Sequence, residues 1–374
     1  ICSNSAPLII WLQGQPGESS LLGLFTENGP FSLTENGRLQ RRKTSWTEPF
    51  NVLYMDSPVG TGFSFTDRQE GYADNQLAVG IHLYQALKQF FKLFPELQTN
   101  ELFIASEGIG GKFATALGYA IHTMNPVAEE QMNFKGLMIF DGYLDSIHNN
   151  YIKKNNNVKN VPAKSNIMTF NDIMKAVAYE QQMEAFLEHP GMMSLNEMTR
   201  MFTQAMDFFA FLFPVKKPSN PVRLEPSGND ILSNFLNNED IKYALHVGNR
   251  SFMSESEIVQ DYLMEEMSVT LRNVFTVLLQ NYKILIANGE LDMVASPESF
   301  AESLNKLNWD NRDSFAIATK EPFEVNMELA GYVKSAGNLV QVIVQNVKES
   351  VIKEQPVWTL DIVQKFVKGE EIKV

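Results

Sequence analysis

Short, largely apolar runs recur along the chain, and most of them end in a turn that contains glycine or proline. The runs occupy residues 7–12, 51–56, 101–106, 134–140, 282–292 and 339–344. Runs without polar alternation are typical of strands that are buried on both faces, as in a parallel sheet covered by helices. The pattern therefore predicts six strands in one sheet.

Apolar residues at helical spacing fill several of the stretches between these runs. Residues 74–94 predict an amphipathic helix with Asp74 as its N-cap, and residues 357–367 predict a closing helix. Strands that alternate with helices imply right-handed crossovers. We therefore predict an α/β fold, with a mixed, mainly parallel sheet flanked by helices.

Residues 146–240 differ in character from the rest of the chain. They combine Asn-rich loops with a Met- and Phe-rich stripe at 206–213 and four prolines, Pro214, Pro218, Pro221 and Pro226. We interpret this segment as an inserted helical cap that divides the core into residues 1–145 and 241–374. The stripe is more typical of ordinary core packing than of a ligand pocket.

The most informative stretch is residues 101–119, in which an apolar strand turns on glycines into a helix. Strand, tight turn and helix form the nucleophile elbow of α/β-hydrolases, where a serine at the centre of G-x-S-x-G attacks the substrate. Here the central position is Gly108. The frame of the elbow is therefore predicted without the attacking atom.

Composition excludes several classes of function. The 374 residues carry 44 acidic and 31 basic side chains, a net charge of −13, which disfavours binding to nucleic acid and to anionic membranes. No apolar run approaches the roughly 20 residues of a membrane span. No cluster of His, Asp or Glu has the spacing of a metal site, and no cofactor motif is complete, since the loop at 57–65 lacks the Gly-Lys-Ser/Thr of a P-loop.

Two features of the sequence favour different cellular compartments for this protein. Cys2 is the single cysteine, so the chain has no internal disulfide, which favours a reducing compartment. Asn249-Arg250-Ser251 is a glycosylation sequon, with Asn249 as acceptor, and favours the secretory pathway.

Five motifs in register make the chain resemble the serine carboxypeptidases, and most closely their vitellogenic carboxypeptidase-like branch. The motifs lie at residues 7–14, 23–30, 56–64, 245–249 and 335–339. The resemblance implies an α/β-hydrolase fold, a secretory or extracellular location, and further strands before residue 7. It also allows a homodimer.

Transferred residue by residue, the resemblance implies that most of the catalytic machinery is lost. The nucleophile position is Gly108 and the base position is Glu349, while Asp292 keeps the acid of the triad. A carboxylate cannot replace a near-neutral imidazole base. The oxyanion-hole positions fall on Gln15 and Ile109, and the Gln15 N–H is expected to remain able to donate although its side chain crowds the hole.

Replacement groups are scarce. Ser106 lies two positions before the elbow tip, within the predicted strand, which disfavours it as a displaced nucleophile. No histidine follows Asp292. We interpret the five histidines as surface or packing residues; they are His82, His122, His148, His189 and His246.

The family's recognition residues are better retained. Members bind the carboxylate of a peptide C-terminus through an amide and two glutamates that share a proton, and the matching positions are Gln13, Glu27 and Glu107. Such a pair would bind a carboxylate chiefly at acidic pH. The alternative is that all three are buried, hydrogen-bonded structure.

Three hypotheses therefore stand. The first is a catalytically inactive homologue with a structural or protein-interaction role. The second is a non-cleaving binder of peptide or protein C-termini. The third is an active carboxypeptidase with displaced catalytic groups, such as Ser106.

The vacated triad poses a separate question, because Asp292 and Glu349 would be adjacent carboxylates on the family's path. Either one holds a proton, or Lys348 or Lys353 pairs with them, or the loop 346–353 moves so that Glu349 points to solvent. We favour the third, because Asn346-Val347-Lys348 is expected to resist positive φ angles.

Overall fold

The computed structural model describes residues 5–142, 231–263, 266, 269–292 and 295–373. Most of the predicted cap at 146–240, including its Met- and Phe-rich stripe and its prolines, lies outside the described residues. Cys2, His148 and His189 lie outside them as well.

The strands largely follow the apolar runs of the sequence. They are β1 (Leu8–Leu12), β2 (Phe31–Leu33), β3 (Leu39–Arg41), β4 (Asn51–Tyr54), β5 (Leu102–Glu107), β6 (Phe134–Phe140), β7 (Lys283–Gly289), β8 (Glu321–Val325), β9 (Glu328–Ala336) and β10 (Leu339–Val344). All but β2 and β3 form one eight-stranded sheet, in the order β4-β1-β5-β6-β7-β10-β9-β8. Pairing from β4 to β10 is parallel, and β10, β9 and β8 are antiparallel. The predicted mixed, mainly parallel sheet is confirmed.

Helices cover both faces of this sheet. In the described residues they are α1 (Gln76–Leu93), α2 (Gly110–Met124), α3 (Ile231–Leu236), α4 (Glu239–Ala244), α5 (Glu257–Leu263), α6 (Arg272–Asn281), α7 (Pro297–Asn305), α8 (Arg312–Ile317), α9 (Val351–Glu354) and α10 (Pro356–Lys368). Alternate residues of β1 enter two different cores: Ile10 packs with α1 and α2, whereas Trp11 packs with α10. This two-sided burial explains the continuous apolar runs.

The hairpin of β8 and β9 is the main element that the sequence analysis missed. β8 is an edge strand, and its residues alternate between exposed glutamates and the buried Phe323 and Val325. A search for continuous apolar runs misses such a strand, because an antiparallel edge exposes one face to solvent.

The predicted cap of α1 is wrong by one residue. Asn75, not Asp74, is the N-cap, and its side-chain oxygen accepts the N–H of Ala78 at 2.8 Å. Asp74 instead accepts a hydrogen bond from the Asn75 amide. The extended backbone of Asn75 places its side chain over the first turn, which the sequence alone does not fix.

The elbow between β5 and α2 forms as predicted. Gly108 has a φ of 56°, in the region that favours glycine, and its N–H donates to the Phe140 carbonyl at 2.9 Å. The N–H of Gly110 donates to the Gly14 carbonyl at 3.1 Å. A Cβ on Gly110 would lie 2.4 Å from the Gln13 carbonyl oxygen. The loop after β1 therefore lies directly against the start of α2.

The contact between α1 and α2 gives a test of the packing. A Cβ at Gly80 would lie 2.6 Å from the carbonyl group of Ala116. Gly→Ala within a helix ordinarily stabilises by about 1 kcal/mol, but backbone atoms cannot yield as a side chain can. We expect Gly80→Ala to lower the free energy of unfolding by about 1–3 kcal/mol in urea titrations.

Gln85→Ala, at an exposed position of the same helix, is the matched control and should change stability little. A Gly80→Ala variant as stable as the parent protein would contradict this packing.

Candidate active site

A cavity of about 540 Å³ opens at the carboxyl ends of the parallel strands. Gly108 follows β5, Asp141 follows β6, and Asp292 lies three residues after β7; all three line the cavity. Gly108 and Asp292 thus lie at the same end of the sheet, where α/β folds place their ligands.

The elbow tip offers no attacking group. Ser106 is fully buried in β5, and its hydroxyl has no hydrogen-bond partner among the described residues. Ser350 is a cavity hydroxyl that the sequence analysis overlooked. Its oxygen accepts the N–H of Lys353 at 3.2 Å, and its hydroxyl also hydrogen-bonds to Glu107. Ser350 is thus committed to a helix cap and to a carboxyl group.

An imidazole base is also absent from the described lining of the cavity. His82 and His246 are exposed, and His122 contacts the Tyr282 hydroxyl at 3.0 Å from its Nδ1. These three agree with the interpretation of the histidines as surface or packing residues.

The turn after β1 differs from the sequence prediction. The Gln15 N–H donates to Glu18 Oε2 at 3.1 Å, and the Glu18 N–H donates back to the Gln15 carbonyl at 3.1 Å. The expectation that the Gln15 N–H remains available is therefore wrong, because a carboxylate three residues later accepts it. Burial raises the pKa of Glu18, with Glu255 and Glu27 adding to the rise. Ile109, the other predicted oxyanion-hole residue, is buried directly before α2.

The three predicted recognition residues lie together. The Gln13 side chain accepts from the Trp11 indole at 3.0 Å and donates to Glu27 Oε1, also at 3.0 Å. Glu27 is held by a single helical turn, Gly23–Glu27, and its side chain is fully buried. Its second oxygen, Oε2, has no hydrogen-bond partner among the described residues.

Glu107, at the end of β5, completes this group. Burial raises its pKa to about 8, and the neighbouring charge of Glu27 adds to the rise. The hydrogen bond from Ser350 and the charge of Lys353 oppose it. Burial and the charge of Glu27 thus favour the protonated form of Glu107.

Lys353 places an ammonium group in the same cavity. Its Nζ lies 3.0 Å from Glu27 Oε1. Burial alone would lower the pKa of Lys353, but the charges of Glu27 and Glu107 outweigh it and raise the pKa. In the sequence analysis Lys353 is a candidate partner of Asp292 and Glu349, whereas in the structure it pairs with Glu27, a predicted recognition residue.

Asp141 is a structural carboxyl group that the sequence analysis missed. Its two oxygens accept the N–H of Gly289 at 3.0 Å and of Val351 at 2.8 Å. Burial raises the pKa of Asp141 to about 7, against the lowering effect of these bonds. The residue thus joins the ends of β6 and β7 to the start of α9. In the sequence, the position of Asp141 directly after an apolar strand was the signal that could have identified it.

The two carboxylates at the predicted triad positions, Asp292 and Glu349, have different surroundings. Asp292 is buried, and its Oδ1 accepts the Ala295 N–H at 2.8 Å. Glu349 is exposed, and its N–H donates to the Glu354 carboxylate at 2.8 Å. Asn346 adopts a φ of 60°, so the prediction that residues 346–348 resist positive φ angles is wrong. Asparagine enters this left-handed region more readily than most residues.

The remaining predicted site is Asn249, which is exposed next to Arg250. The Arg250 guanidinium lies 3.2 Å above the ring of Phe65. Glycosylation of Asn249 stays a prediction. No helix in the described part of the chain is long and apolar enough to cross a membrane, and no three described His, Cys, Asp or Glu side chains are grouped to hold a metal.

The raised pKa values of Glu107 and Asp141 predict how stability depends on pH. Between the ordinary Glu value of 4.5 and about 8, the folded state binds more protons than the unfolded state. The free energy of unfolding should therefore fall as pH rises through this window. Glu107→Gln should flatten the curve, as measured by urea titrations from pH 4.5 to 8.5.

Glu130→Gln, at an exposed position, is the control and should leave the shape of the curve unchanged. Parallel curves for Glu107→Gln and the parent protein would contradict the prediction.

Comparisons with known proteins agree with this geometry. The chain is 36% identical over 375 residues to the venom serine carboxypeptidase of Apis mellifera, which covers 97% of this chain and 78% of the relative. It is 33% identical to the vitellogenic carboxypeptidase of Aedes aegypti. That alignment covers 97% of this chain and 77% of the relative.

A solved structure and a family profile complete the comparison. The structure of a prohormone-processing carboxypeptidase from Saccharomyces cerevisiae superposes with a TM-score of 0.70 at 20% identity, covering 98% of this chain and 83% of that one, so it is similar in fold. The profile of the serine carboxypeptidases matches residues 2–369. The chain therefore belongs to the serine carboxypeptidase family.

Proposed function

We propose that this chain is a catalytically inactive serine carboxypeptidase homologue with a structural or protein-interaction role. The observation that carries the proposal is Gly108 at the tip of the elbow, where it lines the cavity with no side-chain atom to attack a carbonyl. The similar proteins are named as carboxypeptidases, and the proposed difference is that this chain has no nucleophile at position 108.

Two further observations support the loss. The base position holds the exposed carboxylate of Glu349, and no described histidine lines the cavity. The Gln15 N–H, an expected oxyanion-hole donor, is bound by Glu18. Nucleophile, base and oxyanion donor act as a unit in acyl transfer, so the loss of all three is expected to abolish it.

A second candidate function is non-cleaving binding of peptide or protein C-termini. The arrangement of Gln13, Glu27 and Glu107 favours it, because an amide and a protonated carboxyl group face a cavity that is open to solvent. The third hypothesis, displaced catalysis, has little support from the geometry, since Ser106 is fully buried.

One assay separates the three hypotheses. Peptides with a free C-terminus and the same peptides with a C-terminal amide are incubated with the protein, and both binding and release of the last residue are measured. An active serine carboxypeptidase is the positive control. We expect no release of amino acid; release at a rate near that of the control would refute the proposal.

Restoring catalysis should require several substitutions. Gly108→Ser alone is expected to stay inactive, because a serine without a base is a weak nucleophile. Its Cβ would lie 3.2 Å from the Gly14 carbonyl oxygen, and the φ of 56° at this position strains any L side chain. Gly108→Ser with Glu349→His and Gln15→Gly is the minimal set for peptidase activity, measured by release of the C-terminal residue. Activity of the single variant at the level of the triple variant would contradict this prediction.

Glu18 adds a prediction of its own. In the triple variant, Glu18→Ala frees the N–H of position 15, and one oxyanion-hole donor is worth roughly 10²–10³ in rate. We expect at least a tenfold gain in labelling of the introduced serine by a fluorophosphonate. Glu255→Ala removes the same charge from the cavity lining without touching this N–H, and should give a smaller gain. Equal gains would show that charge, and not the donor, limits the reaction.

A further inference from the structure

We propose that Lys353 is a ligand-binding residue of the cavity, and that its ammonium group binds the carboxylate at a peptide C-terminus at neutral pH. The inference rests on the candidate binding function above and assigns that function a residue which the sequence analysis placed elsewhere. The shared chemistry is a carboxylate, carried by a peptide or by a small acid.

The first step is the donor capacity of Lys353. An ammonium group has three N–H donors, and Glu27 Oε1 accepts one of them at 3.0 Å. The Lys353 side chain is 49% exposed, whereas that of Glu27 is fully buried. Lys353 also lines the cavity. It therefore anchors to a buried carboxylate while part of its surface remains open to a ligand.

The second step is the support of its backbone. The Lys353 N–H donates to Ser350 Oγ at 3.2 Å, and the Val351 N–H donates to Asp141 at 2.8 Å. The Thr359 hydroxyl donates to the Val351 carbonyl at 2.8 Å. The helix α9 is thus fixed to both β6 and α10, so a ligand does not have to order the helix on binding.

The third step is the balance of charge. Lys353 is the only basic side chain in the described lining, and the other titratable groups are carboxyls from every element around it: Glu18, Glu27, Glu107, Asp141, Glu255, Asp292 and Glu349. An entering anion is therefore attracted at one place only. Beside it, Glu107 keeps a proton and can donate it. At Lys353 the carboxylates of Glu27 and of the ligand then meet one ammonium group and one proton, while the other carboxyl groups of the lining disfavour an anion elsewhere in the cavity.

The experiment compares N-acetyl-Ala-Phe with its C-terminal amide by calorimetry at pH 7. We expect the acid to bind at least tenfold more tightly than the amide. Lys353→Met should remove at least tenfold of the acid's affinity and leave that of the amide unchanged, whereas Lys353→Arg should stay within about threefold. A tenfold change corresponds to about 1.4 kcal/mol.

The matched control is Lys348→Met, which removes the same charge five residues earlier, at an exposed position outside the cavity lining. Should Lys353→Met unfold because Glu27 loses its partner, the double variant Lys353→Met with Glu27→Gln is compared with Glu27→Gln alone, so that the difference in affinity reports Lys353. Thermal unfolding of each variant verifies the folded state.

Selectivity separates a direct role from a structural one. A helix-positioning role alone would lower the affinity for the acid and for the amide alike, whereas a direct role lowers that for the acid only. The charge of Lys353 also lowers the pKa of Glu107, so its removal should move the alkaline loss of binding to higher pH. Acetate should compete with the peptide in the parent protein, and not in Lys353→Met.

Equal affinity for acid and amide, or an acid affinity that Lys353→Met leaves unchanged, would overturn the inference. Mass spectrometry of the same samples detects cleavage, which would refute the proposed inactivity but not the role of Lys353. The two failures are therefore distinguishable.

Discussion

The close approach of the β1 exit loop to the β5 elbow is the constraint on which the site depends. The Gly110 N–H reaches the Gly14 carbonyl at 3.1 Å, and no side chain fits between Gly110 and Gln13. This contact sets Gln13 and Gln15 beside Gly108 and Glu107. It is made by backbone atoms, and a Cβ at the elbow tip would lie 3.2 Å from the same Gly14 oxygen.

The lining of the cavity consequently has two parts, which differ in how far the surrounding core holds their side chains in place. The predicted catalytic positions contribute no buried side chain, because Gly108 has none and Glu349 is exposed. The recognition group around Glu27 is buried, and it is tied through Gln13 to the core residue Trp11. A buried polar network is costly to disrupt, because each lost partner leaves a desolvated group behind. The fold therefore holds the Gln13 and Glu27 side chains more firmly than it holds that of Glu349.

Most of the sheet was predictable from the sequence, because strands buried on both faces give continuous apolar runs. The elbow was predictable from a local motif, and the three residues that the family resemblance marks for recognition lie together in the structure. Asp141 and Lys353 were not, since their roles depend on partners far away in sequence: Val351 for the first and Glu27 for the second. Glu18 was missed for another reason, because its bond to Gln15 depends on the conformation of a turn.

The chain of contacts from Lys353 through Glu27 and Gln13 ends at the Trp11 indole, which meets Trp46 edge to face at 5.6 Å. An indole responds to the electric field along its N–H bond. Any change in the hydrogen bonding of Glu27 therefore alters the surroundings of a chromophore that is itself shielded from solvent. The Trp11 indole is thus a buried chromophore that hydrogen bonds connect to side chains of the cavity lining.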